Sequence, residues 1–246
     1  MIFISDTQME ALKFLLNTSQ IKRNYIFNNE TLKEGEVFVL YSNIGSNNNK
    51  RLKFWNYYMS FLPDELKKEV LKYKFAEDQN NCLIGKLMTL IGYFIFTGKD
   101  LKISDLLKSK FGKPYVNGKK IHFNISHSGS GVMCCFSKNS IGIDIEEIKR
   151  VDVNLFRSVF TDIEFLDIKE NGIERFYHYW TAKESVTKEE GYGLTMDLKS
   201  LRITSLNAEI KDRLWWLKGK KIDRFYFTLA SQNKIEDVKI MQIQFS

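Results

Sequence analysis

The stretch Ile141, Gly142, Ile143, Asp144, Ile145, Glu146 alternates without a break between β-branched apolar residues and residues that are small or acidic. A period of two describes a strand, so the three isoleucines share one face while Gly142, Asp144 and Glu146 share the other. Two carboxylates a few ångströms apart repel each other. One of them rises in pKa unless a cation or hydrogen bonds keep both ionised. A hard divalent cation meets that need. Taken alone, Asp-x-Glu also reads as the solvated outer face of an amphipathic strand.

A second stretch shifts the balance. Residues Trp180 to Lys188 have helical composition, and on a helix Trp180, Glu184 and Lys188 fall at i, i+4 and i+8, with Lys183 one step round. One face then carries a carboxylate flanked by ammoniums. By itself this too has an ordinary reading, as a surface ion pair beside an aromatic core anchor. Upstream, Ile121 to Ser128 runs as a strand into the bend Ser128, Gly129, Ser130, Gly131. Backbone N–H groups exposed in such a bend, with the Ser126 hydroxyl and the His127 imidazole, can hold a phosphate.

In combination, Gly112-Lys113-Pro114, Phe123-Asn-Ile-Ser-His-Ser128, Gly142-Ile-Asp-Ile-Glu146 and Trp180-Thr-Ala-Lys-Glu-Ser185 occur in this order. The set resembles the Sfp-type 4′-phosphopantetheinyl transferases, over roughly residues 36 to 230 and most densely from 111 to 198. The resemblance implies an α/β (α+β) fold of two similar halves related by a pseudo-twofold, here residues 1–138 and 139–246, with 1–35 an unmatched extension. It implies Mg2+ held by Asp144, Glu146 and Glu184, with Lys183 and Lys188 facing the phosphates. Lys113, Ser126 and His127 would contact coenzyme A, His127 at the 3′-phosphate. Glu164 matches a carboxylate near the relatives' centre, although Thr161-x-x-Glu164 is also a capping box with a structural purpose of its own. The proton of the attacking serine could pass to Glu184, to Glu164 or to a metal-bound water, and the sequence does not choose. The implied reaction moves the 4′-phosphopantetheine arm of coenzyme A to a serine of an apo acyl or peptidyl carrier protein of fatty-acid, polyketide or nonribosomal-peptide synthesis. Adenosine 3′,5′-bisphosphate leaves, and the two fused halves imply a monomer. One departure stands out: relatives usually carry Arg near the nucleotide end, where this chain has Asn80 and Asn81, with Lys86 the nearest substitute.

Length and composition agree with this frame. At 246 residues, 43% apolar, the chain has material for one large domain or two small ones, and two prolines argue against a linker-rich array. Cys82, Cys134 and Cys135 have neither disulfide nor zinc spacing, which points to a reducing compartment. No signal peptide is legible, and the longest apolar run, 87 to 96, is far below the roughly 20 residues that span a bilayer. A cytoplasmic protein without a membrane partner is expected. The charge of +7 predicts acidic partners. It fits a carrier's acidic helix; nucleic-acid binding stays a runner-up, since the basic residues are dispersed and no zinc-finger or RRM pattern accompanies them. A second alternative is a non-catalytic relative that binds coenzyme A.

Along the rest of the chain, a short helix is expected around Met9 to Leu16, a polar loop at 45–50, a Lys-rich helix after Pro63 whose Lys67, Lys68 and Lys72 could reach phosphate, and a core helix from Asp78 to Phe96. Residues 152–160 read as helical. Strands are expected near 201–204, 223–230 and 238–245, closing the second half, with Trp215 and Trp216 both in the core.

Overall fold

The computed structural model describes residues 32–45, 55–118, 121–191 and 196–245. The helix expected around Met9 and most of the loop at 45–50 lie outside them.

Strand β1 (Glu36–Asn43) leads into helices α1 (Trp55–Ser60), α2 (Asp64–Leu71) and α3 (Ala76–Thr97). A short hairpin follows, β2 (Leu106–Lys108) and β3 (Pro114–Val116), and then β4 (His122–Ser128), β5 (Gly131–Ser137) and β6 (Gly142–Glu147). Helices α4 (Asp162–Asn171) and α5 (Ile173–Glu190) precede β7 (Arg202–Ile203), β8 (Asn207–Ile210), β9 (Arg213–Ile222), β10 (Phe225–Ser231) and β11 (Asp237–Gln242). This mixed α/β content is what the sequence predicts.

The strands form two main sheets, ordered β11-β1-β5-β4 and β6-β10-β9-β8-β7. Strand β5 is apolar on both parities because both its faces are covered. Val132, Cys134 and Phe136 join the core under α3, while Met133 and Cys135 face the second sheet. Between the sheets lies a shared core in which Val37, Val39 and Tyr41 meet Ile143, Ile145, Phe227 and Leu229. Helix α5 covers the far face of the second sheet through Ala182 and Val186, with the Thr181 and Thr228 hydroxyls 2.7 Å apart.

Three expectations change. Residues 238–245 close the first sheet, not the second: β11 pairs in parallel with β1, and Ile243 and Phe245 enter the first half's core. Residues 152–160 form only a 3-10 turn, Val153–Phe156, because the Asp152 side chain accepts from the Asn154 N–H and Leu155 faces solvent. Adjacent strand residues face opposite ways, so Trp215 is buried and donates to Glu189 Oε2 at 3.0 Å, whereas Trp216 is half-exposed beneath the Lys234 ammonium.

Candidate active site

Strand β6 is an edge strand, and its free N–H groups would be left bare without the neighbouring edge, β4. The N–H groups of Ile143, Ile145 and Glu147 donate to Asn124 Oδ1, Ser126 Oγ and Ser128 Oγ at 3.0, 3.3 and 3.1 Å. Three polar side chains at every second position of β4 thus replace a backbone ladder and join the two sheets edge to edge.

The same hydroxyls then orient the acids. Ser126 Oγ accepts from Ile145 N–H and from Lys188 Nζ (2.7 Å), so its own proton goes to Asp144 Oδ1 at 3.0 Å. Ser128 Oγ accepts from Glu147 N–H and donates to Glu146 Oε2 at 2.6 Å. Trp180 Nε1 donates to the other oxygen, Glu146 Oε1, at 3.2 Å.

Helix α5 reaches the acids because residue 142 is glycine: a Cβ there would stand 2.0 Å from the Ser185 carbonyl oxygen. Close approach at Gly142 sets Lys188 Nζ 2.6 Å from Asp144 Oδ1. Burial, and then the Asp144 charge, raise the pKa of Glu184; Glu146 adds to the rise and Lys188 opposes it. Burial and Asp144 likewise raise Glu146, against the Ser128 and Trp180 hydrogen bonds. The expected constellation of Asp144, Glu146, Glu184 and Lys188 is therefore brought into one electrostatic neighbourhood. Among the described residues, however, no three acidic, His or Cys side chains already converge as a metal cage. Asp144 Oδ2 is buried with no hydrogen-bond partner. An orphaned, buried carboxylate oxygen among acids with raised pKa values has the donor chemistry that suits a hard cation.

Other expected contacts are placed differently. Lys183 is fully buried on the far side of α5, where Nζ pairs with Glu164 Oε2 at 3.0 Å and donates to the carbonyls of Leu198 (2.8 Å) and Leu201. It does not face the acids of β6. Glu164 forms the capping box with Thr161 and accepts from Ile203 N–H at 3.0 Å, so both oxygens of its carboxylate are engaged inside the second half. Lys113 Nζ donates to the carbonyls of Glu189 (2.7 Å) and Ile141 (3.3 Å), tying the β2–β3 hairpin to the C-terminus of α5. Its burial lowers its pKa, with Glu189 opposing. His127 keeps a solvent-accessible edge, while the protein packed around the ring and the Lys188 ammonium lower its pKa against Asp78 and Asp144. Asn80 and Asn81 are buried at the start of α3, and Asn81 Nδ2 donates to the Gly129 carbonyl in the β4–β5 bend.

Sequence reasoning missed the seam made by Asn124, Ser126 and Ser128, although the polar parity on β4 was there to read. It also missed a cavity of about 510 Å3 against Phe123 and Ile125, the intervening β4 positions. Leu66, Cys82 and Leu90 line its apolar part, Gly112 and Pro114 belong to its wall, and Lys72, Lys86 and Lys108 bring positive charge. Glu69 binds Lys86 at 2.5 Å and Lys108 at 2.6 Å. Of the lysines expected to reach phosphate, Lys67 instead pairs with Asp64 and Lys68 is exposed.

Comparison with known proteins matches this geometry to a class. Residues 140–236 fit the family model of the 4′-phosphopantetheinyl transferase superfamily, and residues 49–138 fit the N-terminal model of 4′-phosphopantetheinyl transferases. The chain is 35% identical over 153 residues to 4′-phosphopantetheinyl transferase Sfp of Bacillus subtilis (strain 168), covering 59% of this chain and 67% of that protein. It is 30% identical over 155 residues to the transferase gsp of Aneurinibacillus migulanus, covering 61% and 64%. With the L-aminoadipate-semialdehyde dehydrogenase-phosphopantetheinyl transferase of Candida glabrata it shares 26% over 191 residues, 72% and 73% of the two chains. The chain belongs to the 4′-phosphopantetheinyl transferases, and within them to the Sfp type. It is a transferase enzyme.

Proposed function

We propose that the protein transfers the 4′-phosphopantetheine arm of coenzyme A to a serine of an apo carrier protein, with Mg2+ at Asp144, Glu146 and Glu184. The observation that carries the metal assignment is the buried, unpartnered Asp144 Oδ2 beside two carboxylates of raised pKa.

The attacked centre is a diphosphate, and the barrier is dominated by charge on its oxygens and on the leaving phosphate. When bound, the divalent ion neutralises that charge and holds the diphosphate oxygens in place. Lys188, half-exposed on the same helix face as Glu184, supplies an ammonium to the leaving phosphate. Ser126 and Ser128 hold the two β6 carboxylates in fixed orientation. With Glu164 engaged by Lys183, Thr161 and Ile203, Glu184 is the protein carboxylate left to take the serine proton. It makes no hydrogen bond or ion pair among the described residues. The cavity against Phe123 and Ile125 suits the nucleotide end of coenzyme A, since an apolar lining can take a base and its lysines a phosphate. His127 edges the same β4 parity.

The division near residue 138 is supported by the two family models, which meet there. No helix among the described residues is long and apolar enough to cross a membrane. We read the protein as a cytoplasmic monomer without a nucleic-acid partner; the +7 charge suits the acidic helix of a carrier. Incubation with Mg2+, coenzyme A and a panel of apo carriers tests the reading by mass spectrometry of the carrier serine. One added phosphopantetheine is expected, with a loss of roughly a hundredfold or more in rate for Asp144→Ala and Glu184→Gln. Undiminished transfer in both variants refutes the metal assignment.

A further inference from the structure

The Lys188 ammonium stands where a cation is wanted. Its Nζ lies 2.6 Å from Asp144 Oδ1 and 2.7 Å from Ser126 Oγ, while the second Asp144 oxygen is left bare. The two partners differ in freedom. The Asp144 side chain is 5% exposed and is fixed by Ser126 from the opposite sheet, so it cannot follow a moving ligand. Lys188 is 31% exposed and sits on a flexible four-carbon stem at the solvent side of the last turn of α5. Of the two partners, the ammonium is the one with room to move.

We propose that Lys188 is a resident placeholder for the divalent cation, and that the diphosphate of the substrate draws it away so that ion and diphosphate bind as a coupled pair. This rests on the metal site proposed above and deepens it. With the ammonium in place, Asp144, Glu146 and Glu184 carry two net negative charges, and one Asp144 oxygen is already engaged. With the ammonium on a diphosphate oxygen, the three acids carry three negative charges, and Asp144 Oδ1 keeps only its hydrogen bond from Ser126 while Oδ2 stays open. The ion is therefore held weakly by the free protein and strongly once a diphosphate is present. Linkage makes the effect reciprocal: the ion raises affinity for the diphosphate by the same factor. It also fits the lack, among the described residues, of a ready-made cage of three such ligands.

The test measures ion binding directly. Mn2+ is titrated into the wild-type protein, Lys188→Gln and Lys188→Arg, and its binding is followed by electron paramagnetic resonance of the free ion, with and without saturating coenzyme A. Thermal unfolding checks that each variant is folded. Without coenzyme A, Lys188→Gln is expected to bind Mn2+ about tenfold or more tighter than wild type, as expected for losing a charge-assisted competitor. Lys188→Arg keeps the competitor and stays weak. With coenzyme A, wild type and Lys188→Gln converge. If Lys188 only repels the ion through space, Lys188→Gln gains equally with and without coenzyme A, and the proposal is overturned; no gain in either condition also overturns it. Wild type that binds no Mn2+ even with coenzyme A overturns the metal reading itself.

Discussion

Helix α5 carries two lysine–carboxylate pairs five residues apart, and they do opposite things. Lys183 and Glu164 are 0% and 3% exposed, and every oxygen and proton has a partner: Thr161 N–H, Ile203 N–H, and the carbonyls of Leu198 and Leu201. Lys188 and Asp144 are 31% and 5% exposed and leave one oxygen bare. Residue types alone do not distinguish the pairs. A saturated pair can only hold the fold in place, here fastening the segment after α5 to α4, whereas an unsaturated one has a coordination position to offer.

The contrast can be broken at several points. Lys183→Met strands the Glu164 carboxylate in the core and should cost about 3–5 kcal/mol in urea unfolding, the double variant with Glu164→Gln recovering much of that. Recovery by neither substitution would show that the pair is not self-contained. Ser128→Ala removes both the acceptor for Glu147 N–H and the donor to Glu146, so a loss of about 1–3 kcal/mol in the same measurement is expected. Lys113→Met uncovers two carbonyls at the join between the halves and should cost about 1–2 kcal/mol, with the KM for coenzyme A little changed. A large rise in that KM would return Lys113 to the phosphates.

The smallest effect has a sign that runs against habit. The folded pKa of Glu184 lies above its ordinary 4.5, so the folded state favours the protonated form. Its contribution to stability is most favourable below the unfolded pKa and is lost as pH rises from about 4.5 through the folded pKa. Glu184→Gln should therefore unfold at higher temperature than wild type at neutral pH in the absence of metal, and that advantage should shrink as pH falls toward 4.5. Activity falls in the same variant.

Local pattern carried most of the fold. The alternation at 141–146, the capping box before α4 and the apolar spacing of α3 each named its element. The acids of β6 and the Glu184–Lys188 face were legible because strand and helix periods fix which side chains share a side. Lys183 was misjudged for the same reason: it precedes Glu184 by about 100° of helical rotation, so the turn that aims Glu184 at β6 aims Lys183 at α4. The partner of β11 was not legible, since Val238 and Ile240 would suit the edge of either sheet. The β4–β6 seam escaped because side chains, not backbone, make it: the polar parity of Asn124, Ser126 and Ser128 is legible, but not the strand edge it faces.

The return of β11 to the first sheet has a bearing on how the molecule is made. Its partner β1 lies about two hundred residues earlier, so a growing polypeptide cannot finish that sheet until Gln242 has cleared the ribosome. Until then β1 offers an open flank to chaperones or to wrong neighbours. An excised fragment ending at residue 138 should inherit the same exposed flank and associate with itself more readily than the intact chain.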